Sequence, residues 1–217
     1  MIINFLGDSI TQGYWSSEEQ YKYVNQVGKT LNCTVRNYGI SGTRIAKNRN
    51  NEYPDDFQQR AMRMENDADY VFVFGGTNDF GHGDGPLGTP DSTDPFTFYG
   101  GLNTLISILK GKYDKEKLVF ILPMHRFEEN NPCGSRKSAP VATLSEYVDI
   151  MKEVLDGENI AYIDMFNNSA IPTPPAGAST YFTDGLHPND VGHTVLAQMI
   201  VAYVQRLEYE KKNKQTK

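Results

Sequence analysis

The sequence contains few cysteines, no long apolar run and no excess of basic residues. Its 217 residues include only two cysteines, Cys33 and Cys133, which lie far apart and form no metal-ligand or redox motif. No apolar stretch approaches the roughly twenty residues needed to cross a bilayer. The formal net charge of -6 argues against binding to nucleic acid or another polyanion.

The N-terminal segment also lacks the basic region and the longer apolar segment of a secretory signal. We therefore expect a cytoplasmic protein that has no membrane partner. A content of 39% hydrophobic and 22% charged residues is typical of a globular protein, and the length suits one domain with a full core. We predict a single domain over residues 1–210 and a frayed, lysine-rich tail at 211–217; the oligomeric state is not predicted.

Short apolar runs alternate with helical patterns along the chain, which predicts a parallel sheet covered on both faces. The predicted strands are 2–6, 34–38, 69–74, 118–122 and 159–163. The predicted helices are about 16–31, 54–64, 96–110, 141–155 and a last helix from about 190. Right-handed crossovers place every strand-to-helix loop at one edge of such a sheet, including the long loops 80–95, 124–138 and 167–182.

Polar residues follow the strands at this edge, where open α/β sheets bind ligands. Ser9 follows the first strand, Gly42 the second and Asn78 the third, and Asp184 and His187 follow the last. A serine becomes a useful nucleophile beside a histidine, and the histidine needs an acceptor that fixes its tautomer. Backbone N–H groups and an asparagine amide can stabilise the oxyanion of an acyl-transfer intermediate.

Each of these residues taken alone also fits a structural role. Ser9 can cap a helix, Gly42 can form a turn, Asn78 can form an Asx turn, and Asp184 precedes a glycine in a common turn pair. His193 lies inside the last predicted helix and is interpreted as a structural side chain. Only the combination of these residues favours a catalytic site.

Four motifs occur in one order along the chain: GDSIT at 7–11, NYGISG at 37–42, GGTND at 75–79 and DGLHP at 184–188. Together they resemble the SGNH hydrolase superfamily of GDSL-type lipases, acylhydrolases and esterases, over nearly the whole chain. The resemblance implies a three-layer α/β/α sandwich with a five-stranded parallel, flavodoxin-like sheet. The Gly-x-Ser-x-Gly elbow of ordinary α/β-hydrolases is absent.

The resemblance also implies a role for each matching residue. Ser9 is the expected nucleophile, His187 its base and Asp184 the partner of the histidine. The Ser9 N–H, Gly42 and Asn78 are the expected oxyanion donors. These roles amount to ester hydrolysis through an acyl-Ser9 intermediate.

Four further residues near the motifs are predicted to contact substrate: Asp8, Arg44, His82 and His125. No cofactor is implied. A metal at His82, Asp84 and His125 is not supported by any ligand spacing, so we predict none.

The loops over the site are polar, as in 81–85 and 128–131, and no amphipathic surface helix suggests lipid docking. We therefore expect a short acyl group, such as acetyl, on a carbohydrate or another small polar alcohol. Loop aromatics that could stack on a sugar ring are Tyr14, Trp15, Phe127, Tyr181 and Phe182.

Three other functions fit less well. A short-chain lipase, lysophospholipase or thioesterase would share the same chemistry with a different substrate. A catalytically silent ligand-binding protein on the same fold would be expected to have lost one of the three catalytic residues. A nucleotide-binding protein would carry a glycine-rich phosphate loop after the first strand, and this sequence has none.

Overall fold

The structure is a computed structural model and describes residues 1–49, 55–169 and 171–215. A five-stranded parallel sheet forms its centre, as predicted. The strands are β1 Ile2–Gly7, β2 Thr34–Gly39, β3 Tyr70–Phe74, β4 Leu118–Ile121 and β5 Ala161–Ile163. Strands β3 and β4 are buried along their whole length, which explains why their sequences are apolar on both faces.

The strand order is β2-β1-β3-β4-β5, so β1 lies between β2 and β3. After β1 the chain crosses to β2 on one side of β1, and after β2 it crosses to β3 on the other side. This reversal is a topological switch point, where doubly wound folds open a crevice at the carboxyl ends of the strands. Gly7, the last residue of β1, is in register with Gly39 on one side and Phe74 on the other. The residues directly after Gly7 therefore lie at the mouth of that crevice.

Helices cover both faces of the sheet. They are α1 Ser9–Gln12, α2 Tyr23–Leu31, α3 Phe57–Arg63, α4 Thr77–His82, α5 Phe98–Lys110, α6 Leu144–Glu158, α7 Met165–Asn168 and α8 Asp190–Gln215. Two separate core clusters result: α3, α5 and α6 bury their apolar residues with one face of the sheet, and α2 and α8 with the other. The predicted three-layer α/β/α sandwich is confirmed.

The helix predicted from Ser16 begins later, at Tyr23, after a 3₁₀ turn at Glu19–Tyr21. Ser17 does not cap a helix. Its N–H and Oγ donate to the two carboxylate oxygens of Asp190 at 2.8 and 2.6 Å. Lys22 then has extended backbone, which separates the turn from α2.

Other boundaries also differ from the predictions. The helix predicted from Pro54 spans Phe57–Arg63, and Pro54 itself lies outside the described residues. Three short helices, α1, α4 and α7, were not predicted because four to six residues show no measurable periodicity. Helix α8 continues to Gln215 and so includes part of the segment 211–217, for which fraying remains a prediction. None of the helices in the described part of the chain is both long and apolar enough to cross a membrane.

Candidate active site

Ser9 is the first residue of α1, and one residue, Asp8, separates it from the end of β1. Asp8 caps this short helix, because its Oδ1 accepts the Ile10 N–H at 2.9 Å. The turn is too tight for a side chain at Gly7, where a Cβ would lie 1.9 Å from Thr11 Oγ1. These contacts hold the Ser9 hydroxyl at the carboxyl edge of the sheet.

His187 contacts Ser9 from the loop before α8. Its Nε2 lies 3.0 Å from Ser9 Oγ, and its Nδ1 lies 2.7 Å from Asp184 Oδ2. Because the carboxylate accepts the Nδ1–H, Nε2 is left with a lone pair that can accept the serine proton. The three residues therefore form one hydrogen-bonded chain, although Ser9 and His187 are 178 positions apart in the sequence.

Asp184 is held in an Asx-type turn within its own loop. Its Oδ1 accepts the N–H groups of Leu186 and His187 at 3.0 and 2.7 Å. Partial burial acts to raise the pKa of Asp184, but these hydrogen bonds and the imidazole outweigh it and hold the pKa below its ordinary value. The carboxylate is thus ionised when it faces the imidazole.

Two backbone N–H groups remain available at the site. Gly42 has a left-handed backbone (φ +78°), which glycine adopts without strain. Among the described residues, no acceptor is bound to the N–H of Gly42 or of Ser9. Both residues line the same cleft, so both donors can serve a bound oxygen atom.

Asn78 lies at the start of α4, after a left-handed Gly76 (φ +101°). Its Nδ2 donates one hydrogen to the Thr43 carbonyl at 3.0 Å, which leaves the second hydrogen of the amide. His82, one turn later, places its Nε2 at 3.2 Å from Asn78 Oδ1. Burial, aided by the charge of Arg44, lowers the pKa of His82 to about 4, so His82 is neutral at pH 7.

A buried arginine connects the segments that carry these donors. Arg60 on α3 donates to the Gly7 carbonyl and to Thr43 Oγ1, each at 2.6 Å, and also to the Tyr38 carbonyl. It thereby joins the ends of β1 and β2 to the turn that contains Gly42. Burial lowers the pKa of Arg60 only to about 10, so the guanidinium stays charged.

Asp79 makes a second buried connection. Its carboxylate accepts the N–H groups of Ile45 and Ala46 at 3.0 and 2.9 Å. Burial raises the pKa of Asp79, and the two backbone hydrogen bonds oppose that shift. Helix α4 and the loop after Gly42 are therefore fixed to each other.

These groups meet in a cleft of about 570 Å³. Most of the lining residues carry polar or charged side chains, although polar and apolar atoms contribute about equally to the wall surface. The large apolar side chains are those of Tyr14, Phe127 and Leu186. The lining residues are Ser9, Tyr14, Ser41, Gly42, Asn78, His82, Arg126, Phe127, Glu128, Ser135, Arg136, Asp184, Gly185, Leu186 and His187. Within the described residues, no group of three or more His, Cys, Asp or Glu side chains is arranged to hold a metal ion.

Three of the four residues predicted to contact substrate do not line the cleft. Asp8 is buried beneath α1 as its cap, and burial raises its pKa to about 7. Arg44 is buried and bonded to Asp84 and the His82 carbonyl. His125 faces Glu129 at 2.9 Å. Only His82 lies in the wall, where it faces Asn78.

Other cleft residues were not singled out for a role by the sequence. Arg126 is buried between α4 and the rim, and its guanidinium donates to the Thr77 carbonyl at 3.0 Å and to Ser135 Oγ at 2.7 Å. Arg136 is exposed in the cleft wall. The only sequence signal for either residue was its place in the long loop after β4.

The site combines a serine hydroxyl hydrogen-bonded to an imidazole, a carboxylate that holds the imidazole, and nearby N–H donors that have no acceptor. This is the arrangement of enzymes that transfer acyl groups. The open parallel sheet places this site at its carboxyl edge, where α/β folds bind their ligands. The chain belongs to the GDSL-like lipase/acylhydrolase family, whose model matches residues 5–195. It is an ester-hydrolysing enzyme.

Solved structures share the fold of this chain. A protein from Lactobacillus plantarum is 27% identical, with a TM-score of 0.80 over 94% of this chain and 96% of that one. The lipase/acylhydrolase from Enterococcus faecalis is 22% identical, with a TM-score of 0.66 over 94% of both chains. A carbohydrate acetylesterase from Sinorhizobium meliloti is 15% identical, with a TM-score of 0.70 over 95% of this chain and 99% of that one. A comparison with curated proteins gives no match.

Proposed function

We propose that Ser9 is the nucleophile of a serine esterase. His187 takes the Ser9 proton as the hydroxyl oxygen attacks the ester carbonyl, and then gives it to the leaving alcohol. In the second half-reaction His187 removes a proton from water, whose oxygen attacks the acyl-Ser9 carbon. His187 then gives this proton to Ser9 Oγ as the bond between Oγ and the acyl carbon breaks and the acid leaves. Asp184 holds the imidazole in the required tautomer and stabilises its cation. The Ser9 Oγ–His187 Nε2 distance of 3.0 Å is the observation on which this proposal depends.

The oxyanion hole consists of the Ser9 N–H, the Gly42 N–H and the second hydrogen of the Asn78 amide. All three donors line the cleft that contains the Ser9 hydroxyl. Their positions are fixed before substrate arrives, by Asp8, Arg60 and the contacts of Asn78 described above. Donors that are already oriented stabilise developing charge without a cost of reorganisation.

The substrate carries a short acyl group, such as acetyl, on a carbohydrate or another small polar alcohol. The lining residues support this choice, because a long acyl chain would need a continuous apolar channel. The large apolar side chains of Tyr14, Phe127 and Leu186 are instead interspersed with ten polar or charged lining residues. The carbohydrate acetylesterase from Sinorhizobium meliloti has the same fold, which supports a substrate of this class. At 15% identity, the similarity to that protein is one of fold alone.

The test is hydrolysis of p-nitrophenyl esters from acetate to decanoate by wild type, Ser9→Ala and Ser107→Ala. Ser107 is an exposed serine on α5 and serves as the matched control. We expect activity on acetate and butyrate that is lost in Ser9→Ala and kept in Ser107→Ala. A fluorophosphonate should label wild type and the control but not Ser9→Ala.

Other results would change the proposal. A maximum at long chains would retain the chemistry and replace the substrate class by that of a lipase. Absence of Ser9-dependent hydrolysis and labelling would favour a ligand-binding protein that has kept the motif.

A further inference from the structure

Two exposed aromatic residues lie beside the proposed catalytic histidine. Tyr14 and Trp15 are 50% and 51% exposed, and their ring centroids lie 5.3 Å apart in an edge-to-face arrangement. The Tyr14 ring also contacts the His187 ring, at a centroid distance of 4.9 Å. We call Tyr14 and Trp15 the aromatic platform. Large exposed aromatics next to a catalytic group are costly in water and mark a binding surface.

The backbone of the platform is held in an unusual conformation. Trp15 has φ +67°, in the left-handed region, which a bulky residue adopts only when surrounding contacts enforce it. The Tyr14 N–H donates to the Ser9 carbonyl at 2.9 Å on one side. On the other side, Ser17 is bound to Asp190 through two hydrogen bonds. The platform is therefore formed before any ligand binds, which lowers the entropy cost of binding.

A second groove begins at the platform. It has a volume of about 500 Å³, and Tyr14 lines both this groove and the catalytic cleft. Beside the two rings, its walls are hydrogen-bonding side chains, including Gln12, Ser16 and Lys22. The face of a single exposed ring is flat and apolar, and among such groups it fits a sugar ring, which has an apolar C–H face and a rim of hydroxyls.

We propose that Tyr14 and Trp15 bind a second sugar ring, next to the acylated ring whose ester lies at Ser9. The ligand class is an acylated oligosaccharide or glycoside of at least two rings. This inference rests on the proposed function and extends it: the catalytic cleft takes the acylated ring, and the second groove takes its neighbour. Tyr14, shared by both spaces, separates the two rings.

Binding can be measured without turnover, because Trp15 is the single tryptophan of the chain. Ser9→Ala protein is titrated with cellobiose, xylobiose and maltose that each carry one acetyl group, and with singly acetylated glucose and xylose. We expect a saturable change in tryptophan emission with at least one disaccharide, at a concentration at least tenfold below that needed for its monosaccharide. A linear or absent change with all three disaccharides would overturn the proposal.

Kinetics give an independent test, in which kcat/KM for each sugar ester is divided by kcat/KM for ethyl acetate. We expect this ratio to be about tenfold higher for a disaccharide than for its monosaccharide. Trp15→Asn should abolish the preference, since asparagine tolerates the left-handed backbone but lacks the ring. Trp15→Phe should restore most of it. Tyr209→Ala removes an aromatic residue that is 68% exposed on α8 and should leave the preference intact.

The two proposals fail in different ways. If Ser9-dependent hydrolysis of ethyl acetate is present but the disaccharide preference is absent, or survives in Trp15→Asn, the platform is not a sugar subsite and the esterase stands. If no ester is hydrolysed in a Ser9-dependent manner, the proposed function fails, and the emission titration still decides whether the platform binds a sugar.

Discussion

The candidate site has two regions that are held in different ways. The first lies at the ends of three neighbouring strands, rests on buried charged residues, and consists of Ser9, Gly42 and Asn78. The second is one turn near the surface, which contains Asp184 and His187. We call the first group the floor. Its supports reach across the fold: Arg60 donates to Gly7, 53 residues away in the sequence. The 184–187 turn is instead closed by its own carboxylate and backbone, within three residues.

Because the two regions are held in different ways, substitutions in them should affect stability and reaction rate differently. The floor is part of the core, so a change there disturbs both folding and the oxyanion donors. The side chains of Asp184 and His187 are 39% and 13% exposed, and their turn can lose a proton acceptor while the core stays intact. We therefore expect substitutions in the turn to lower the rate alone, and substitutions under the floor to lower stability as well.

The largest effect on rate is expected for Asp184→Asn. The amide cannot accept the Nδ1–H of His187 as a carboxylate does and favours the wrong tautomer, so kcat on p-nitrophenyl acetate should fall about 10³- to 10⁴-fold. The midpoint of urea unfolding should change little. A large loss of stability with little loss of rate would show that the turn is structural.

Asn78→Ala removes an oxyanion donor from the floor and should lower kcat about 10²- to 10³-fold with little effect on KM. The same substitution leaves His82 Nε2 without its Asn78 partner and the Thr43 carbonyl without its donor. Steady-state kinetics separate kcat from KM. A change confined to KM would assign Asn78 to ground-state binding.

Arg60→Met should lower the free energy of unfolding by about 3 kcal/mol, because the Gly7 carbonyl and Thr43 lose a buried, charged donor. The matched control is Arg63→Met on the same helix, whose side chain is 62% exposed. It should cost about 0.5 kcal/mol or less. Equal losses in urea unfolding for the two variants would contradict a special role for Arg60.

The last prediction concerns the pH dependence of stability. Burial raises the pKa of Asp8 from 3.8 to about 7, so between these values the folded protein keeps a proton that the unfolded chain releases. Stability from this group is thus present at low pH and is lost as pH rises from about 4 to 7, by at most about 1.4 kcal/mol per pH unit. Asp8→Asn should remove that slope.

Asp67 provides the control for the sign of this effect. It is exposed, and its hydrogen bonds with Arg36 lower its pKa. Its stabilising contribution is present above its unfolded pKa and is lost on acidification, so the difference between wild type and Asp67→Asn should increase with pH. A slope of the same sign for Asp8 between pH 4 and 7 and for Asp67 below about pH 4, both measured by urea unfolding, would contradict the assignment.

The sequence predicted the parts of the site that follow directly from strand order. Apolar runs identified the five strands, and a parallel sheet brings the residues after each strand to one edge, so Ser9, Gly42 and Asn78 could be placed together. The pair Asp184 and His187 could be predicted because three residues of spacing suffice for one turn. Their side-chain distances required the structure.

What the sequence did not predict depends on distant contacts or on the direction of a side chain. Arg60 lies in a weak helical pattern, and nothing nearby in the chain shows that it reaches Gly7 and Thr43. Asp8 and Arg44 adjoin the motifs but point into the protein. Serine is a common helix-capping residue, yet Ser17 is hydrogen-bonded to Asp190, which is 173 residues away.

The separation of 178 residues between Ser9 and His187 has a consequence for synthesis of the chain. Ribosomes add about 5 to 20 residues per second, so Ser9 is made roughly 10 to 40 s before its base. Strand β1 lies between β2 and β3 and cannot be flanked on both sides until β3 has been made. If the proposed mechanism holds, the serine of the nascent chain is inert, and no fragment that ends before His187 can hydrolyse esters in the cell by this mechanism.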